Sequence, residues 1–331
     1  MKKALFIMMQ EMVDNVYDEE TRLEISENFD VLSKPLTKDN VLDHPELLAE
    51  VEVIFSGWGA PVFDEAFLAA APKLEAIFYA AGTMKSLLSD TVWERELTIS
   101  TANTANAIPV AEYTLSQILF SLKDGWKITR DVRKNRTYQF NQYPVPGAYK
   151  RTVGLISLSQ IGRKVVEFLK PFDLDIIAYD PFVSDEEAEK LGIKMGSLEE
   201  IFEQADIVSL HTPLLPETEG MITGDLLRKM KPGVTFINTA RGAIVNEPEL
   251  IEVFKERTDL TAILDVTYPE PPVADSPLYT MDNIVVTPHI AGSAGSEVAR
   301  MGRLAADEAL RYIRGEEMHF LITKEDYKTM A

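Results

Sequence analysis

Three side chains capable of chemistry stand at comparable places in the chain: Arg241 in Asn238-Thr239-Ala240-Arg241-Gly242, Glu270 in Pro269-Glu270-Pro271, and His289 in Thr287-Pro288-His289. Each follows a short β-branched, apolar run, so each is expected just past the end of a buried strand, where parallel sheets bind ligands. A guanidinium can grip a carboxylate with two donors. An imidazole exchanges protons near neutrality, and a carboxylate beside it would orient its ring. Together the three could reduce the carbonyl of a 2-oxo acid, given a hydride. Taken singly, Arg241 could be a surface ion-pair partner, Glu270 a solvated turn residue and His289 a capped strand end. Of the other histidines, His211 ends a strand in His211-Thr212-Pro213-Leu214 and would flank a nucleotide cleft, while His44 and His319 read as surface residues.

A dinucleotide site needs a strand, a glycine turn, a helix whose first amides face the pyrophosphate, and an acidic residue after the next strand. Residues 153–156 read as that strand, 161–169 as the opening of the helix, and Asp180 ends the following strand. The turn itself is Ser157-Leu158-Ser159-Gln160-Ile161-Gly162, with serine at two of the three glycine positions. Ser159 puts a side chain where backbone normally nears phosphate, so Ser159→Gly is expected to tighten NADH binding if the serine crowds it. The alternative is an ordinary strand–helix crossover in which Gly162 permits close packing and Asp180 caps the turn before Pro181. Asp180 would accept ribose hydroxyls and repel a 2′-phosphate, which favours NAD over NADP.

The elements that must position these residues alternate. Apolar runs begin at 153, 174, 206, 234, 261 and 284, with helical spacing between most of them, which is how a parallel sheet covered on both faces is written. Runs at 3–8, 51–55, 74–79 and 97–100 predict a second α/β sheet. Helical stripes at 107–122 and 297–314 are long enough to carry the chain between the two. The expected division is therefore 1–102 with 296–331, and 103–295. Residues 127–150 show no clear period but hold Tyr138, Phe140, Tyr143 and Tyr149; they read as a covered arm at a subunit contact, or as a loop folded on its own domain.

Composition bounds the rest. A chain of 331 residues exceeds what one core usually organises. A net charge of −20 repels phosphate backbones and anionic lipid, arguing against nucleic acid and membrane partners. With no cysteine there are no disulfides or thiolate metal sites, and no metal is called for. The apolar run after Lys2 and Lys3 is too short for a signal segment and reads as a first strand. Nothing is long enough to span a bilayer, so a cytoplasmic location is expected.

In this order, Ala81-Gly82-Thr83, Val110-Ala111-Glu112, Ser157 to Gly162, Tyr179-Asp180-Pro181, His211-Thr212-Pro213-Leu214, Asn238 to Gly242, Leu264-Asp265-Val266, Pro269-Glu270-Pro271 and Pro288-His289 resemble the D-isomer-specific 2-hydroxyacid dehydrogenase family over nearly the whole chain. The resemblance implies a Rossmann-type doubly wound sheet plus a smaller flavodoxin-like α/β substrate domain, NAD as cofactor, and a homodimer acting on a small 2-oxo or 2-hydroxy acid. It implies that Arg241 binds the substrate, that Glu270 pairs with His289, and that His289 is the acid–base. Amides near Gly82 and Thr83 would hold the substrate carboxylate, with Thr83 also near the nicotinamide. Ser159, Gln160 and Ile161 would lie at the pyrophosphate, Asp180 at the ribose and Thr212 in the wall. Thr239, Ala240, Arg241, Asp265 and His289 would surround the nicotinamide. The chain departs from the family at Ser159 and at Met84-Lys85; Trp58 and Lys85 could shape an unusual pocket or be plain surface and packing residues. A rival from another class is an NADH-sensing interaction protein on the same fold, though a sensor has no need of an acid–base pair.

Overall fold

A computed structural model describes residues 1–138 and 144–329. The chain divides into two compact units, Met1–Asn106 with Ser293–Ala331, and Ala107–Gly292.

In the first unit, β1 (Lys2–Ile7), β2 (Phe29–Val31), β3 (Val53–Ser56), β4 (Ala76–Tyr79) and β5 (Thr98–Thr101) form one parallel sheet in the order β2-β1-β3-β4-β5, that of flavodoxin-like folds. Strands β3 and β4 are buried at every position, as double coverage requires. Phe6, Phe55 and Phe78 line one face, where the Val298–Arg314 helix adds Ala305 and Ala309. Leu5, Ile7, Ile54 and Ile77 line the other. The helix comes so close that a Cβ on Gly302 would overlap the Val16 carbonyl, a contact only glycine permits.

In the second unit, β6 (Arg151–Ile156), β7 (Leu174–Tyr179), β8 (Lys194–Met195), β9 (Ile207–Leu210), β10 (Thr235–Asn238), β11 (Thr261–Leu264) and β12 (Ile284–Val286) are parallel in the order β12-β11-β10-β9-β6-β7-β8. The chain leaves β6 towards β7 and returns on the far side at β9. A topological switch point therefore opens beyond the carboxyl ends of β6 and β9, where such sheets take ligands.

Three elements fall outside the sequence expectation for simple reasons. Strands β2 and β8, of three and two residues, are too short to show a period. Residues expected to be irregular include the Gly125–Asn135 helix, none of whose residues is buried. Its apolar side chains are only Trp126, Ile128 and Val132, too few for a stripe. Tyr138 and Tyr149 are exposed, and Phe140 and Tyr143 lie outside the described residues. Among the described residues, no helix is long and apolar enough to cross a membrane.

Candidate active site

Register brings the three reactive loops side by side. Asn238 pairs with Leu264, and Leu264 with Val286, so β10, β11 and β12 end level. The Arg241 loop is locked by Asn238, whose Oδ1 accepts from the Ala240 amide at 2.9 Å and whose Nδ2 donates to the Arg241 carbonyl at 3.0 Å. A Cβ on Gly242 would overlap the Thr267 backbone, so this loop lies directly against the one leading to Glu270. The Arg241 guanidinium donates to the Ala240 carbonyl at 2.7 Å, and among the described residues no carboxylate is within ion-pair distance. Burial holds its pKa below the ordinary arginine value, against the opposing pull of the Glu270 charge.

Glu270 Oε1 lies 2.6 Å from His289 Nδ1, and both side chains are half-exposed. With Nδ1 facing the carboxylate, Nε2 is the nitrogen left to exchange a proton. His289 occupies the left-handed region, at φ 54°, which costs energy in a residue with a Cβ. A buried carboxylate holds it there. The His289 amide donates to the Asp265 carbonyl at 2.9 Å, and the Ile290 and Ala291 amides donate to Asp265 Oδ1 and Oδ2 at 2.9 and 2.8 Å. Thr287 Oγ1 adds a third side-chain bond to Oδ1 at 2.6 Å. Because that hydroxyl gives its one proton to the carboxylate, Tyr113 must be the donor in its 2.9 Å bond to Thr287. Burial pushes the Tyr113 phenol pKa up, so it stays protonated for the task. Asp265, expected near a nicotinamide, is 2 % exposed and engaged with the His289 loop.

At the switch point, a Cβ on Gly162 would overlap the Ser157 carbonyl, so helix Gln160–Leu169 starts as tightly on β6 as a dinucleotide turn demands. Ser159 is the N-cap of that helix. Its hydroxyl donates to the His211 carbonyl at 2.9 Å and receives the Gly162 amide at 3.5 Å. The side chain is thus engaged in the turn's own bonding. Asp180 accepts from the Leu158 amide at 2.7 Å and the Phe182 amide at 2.9 Å. Thr212 Oγ1 donates to the Ile156 carbonyl at 3.3 Å, Thr239 and Thr114 hydroxyls share a 3.2 Å bond, and Ile161 packs on the core. His211 is buried against Ser209, and burial lowers its pKa to about 3.

Gly82 and Thr83 lie in the first unit, in the loop after β4. Thr83 Oγ1 accepts from the Lys85 amide at 3.2 Å, and Tyr327 donates to the Lys85 and Leu88 carbonyls at 2.6 and 3.1 Å. Met84 is a core residue and Trp58 packs on the same core, which favours the packing reading for Trp58. Sequence reasoning passed over Tyr113, and gave Thr287 and Asn238 no role of their own. Thr287 and Asn238 sit inside quoted motifs, whereas nothing near Tyr113 signals a contact across 174 positions.

The fold and site define a class: a doubly wound dinucleotide-binding unit with a cation and a hydrogen-bonded glutamate–histidine pair at one sheet edge. Residues 115–291 match the NAD binding domain of the D-isomer specific 2-hydroxyacid dehydrogenases. The chain belongs to this family of NAD-dependent oxidoreductases. It is 34% identical over 253 residues to the D-3-phosphoglycerate dehydrogenase of Mycobacterium bovis, covering 74% of this chain and 48% of that one. The enzyme of the same name from Methanocaldococcus jannaschii is 30% identical over 282 residues, covering 85% and 53%. The chain thus spans about half the length of the curated relatives it matches. Its fold is shared with a phosphoglycerate oxidoreductase from Rhizobium etli, at TM-score 0.83 and 18% identity over 98% of this chain and 99% of that one. It is also shared with a D-isomer specific 2-hydroxyacid dehydrogenase from Lactobacillus delbrueckii ssp. bulgaricus solved with NAD, at 0.78 and 23% over 98% and 100%.

Proposed function

We propose that this chain interconverts a small 2-oxo acid and the D-2-hydroxy acid with NAD, through Arg241, Glu270 and His289. The observation that carries the reading is the 2.6 Å Glu270–His289 contact one loop away from a cation that has no carboxylate within ion-pair distance among the described residues. The Gly162 cradle and the Asp180 carboxylate fit a dinucleotide, with Gln160 and Ile161 at the pyrophosphate and Thr212, Thr239 and Ala240 along the wall. When bound, NADH supplies the hydride. Arg241 binds the substrate carboxylate and polarises the carbonyl, with the amides of Gly82 and Thr83 as further donors. His289 delivers a proton from Nε2 to the carbonyl oxygen, and Glu270 fixes the tautomer and the ring plane. In the oxidation direction the same nitrogen takes the hydroxyl proton. A nucleotide sensor would leave this pair without a task.

The Ala107–Gly292 unit would then bind NAD and carry Arg241, Glu270 and His289, and the Met1–Asn106 unit with its C-terminal segment would contribute further substrate donors. The Gly125–Asn135 helix, with no buried residue, and the exposed Tyr138 and Tyr149 support a homodimer contact. The test is a screen of 2-oxo acids at fixed NADH, with 3-phosphoglycerate and NAD added in the reverse direction. Turnover of at least one acid to the D-isomer is expected, and NADH binding without any turnover would favour the sensor.

A further inference from the structure

Ser157 takes the place of the first turn glycine, and the structure shows what it does instead. It sits at φ 77°, a conformation that suits glycine and strains a residue with a Cβ. Its hydroxyl lies 3.2 Å from Asp180 Oδ2. A carboxylate only accepts, so the serine is the donor, and this bond helps hold the strained residue in place. The Leu158 amide donates to the same oxygen at 2.7 Å, and the Phe182 amide donates to Oδ1 at 2.9 Å.

Each carboxylate oxygen offers two acceptor positions. Both positions of Oδ2 are taken, and one of Oδ1. We infer that Ser157 limits Asp180 to one net hydrogen bond with the adenosine ribose of NAD, where the diol has two hydroxyls to give. If the second hydroxyl displaces Ser157, the serine loses the bond that compensates its backbone, and the gain is cancelled. Either way one ribose hydroxyl contributes little. Ser157 is therefore a positioning residue that sets both cofactor affinity and its dependence on the sugar. This inference rests on the proposal that the turn binds NAD.

The experiment is calorimetric and needs no turnover. NADH and its forms lacking the 2′- or the 3′-hydroxyl of the adenosine ribose are titrated into the whole chain, into Ser157→Gly and into Ser157→Ala. In the wild-type chain, deleting one hydroxyl is expected to weaken binding about tenfold and deleting the other less than about twofold. Ser157→Gly is expected to bind NADH about tenfold tighter and to lose about tenfold on either deletion. Ser157→Ala keeps the Cβ and removes only the donor, so the same two-hydroxyl dependence there assigns the effect to the hydroxyl. Equal losses for both deletions in the wild-type chain, or an unchanged pattern in Ser157→Ala, overturns the inference while leaving NAD binding intact. Absence of any NADH binding by the wild-type chain overturns the NAD reading itself, and this inference with it.

Discussion

Glu270 Oε1 and His289 Nδ1 meet at 2.6 Å although 19 positions separate them and they leave different strands. Glu270→Gln keeps an acceptor at that place but removes the charge that steadies a protonated ring. A fall in kcat of about 10²-fold is expected, within the range of general acid–base catalysis. The pair is half-exposed, so the melting temperature should stay nearly unchanged. Steady-state kinetics with a thermal melt checks both.

Arg241 has the opposite balance. Its guanidinium is desolvated without a carboxylate partner among the described residues, the balance expected if it serves the proposed ligand binding at the expense of the apo fold. Arg241→Lys loses the two-donor grip and is expected to lower kcat/KM about 10²-fold, mostly through KM. Arg241→Met should abolish activity with a melting temperature equal to or above that of the wild-type chain. A large loss of stability in Arg241→Met would show that the cation is structural.

Thr287 links Tyr113 to Asp265 and so bears on the backbone of His289. Thr287→Val leaves Asp265 with two amide donors and Tyr113 with no acceptor there. Faster amide exchange at 289–291, confined to that loop, is expected together with a several-fold lower kcat. Exchange that rises throughout the second unit would indicate a general packing defect instead.

His211 gives a pH dependence of stability. Burial lowers its folded pKa to about 3 while the unfolded chain keeps the ordinary histidine value of about 6.5. The unfolded state therefore binds the extra proton between those values, so this contribution is complete above about pH 6.5 and declines as pH falls, by up to about 1.4 kcal/mol per pH unit. Denaturant melts from pH 7 to 5 should show a steeper decline for the wild-type chain than for His211→Asn. Equal slopes would mean that His211 is protonated in the fold.

The sequence shows the sheets clearly because β3, β4, β9, β10 and β11 are short, mostly apolar runs, buried at every position as coverage of both faces requires. It also shows Arg241, Glu270 and His289, since each stands beside turn-forming residues just past such a run. It does not show Tyr113, whose role depends on a contact 174 positions away, or the Gly125–Asn135 helix, which has few apolar residues and buries none. Nor does it show that the Ser159 hydroxyl bonds the His211 carbonyl, a contact 52 positions away.

The proposed chemistry depends on His289 as the proton donor. The decisive measurement compares single-turnover NADH oxidation by the wild-type chain and by His289→Ala, each saturated with NADH and with a 2-oxo acid that the screen identifies. The variant should retain NADH affinity within about twofold and lose at least about 10²-fold in the hydride-transfer rate. A variant that oxidises NADH at the wild-type rate would contradict the assignment.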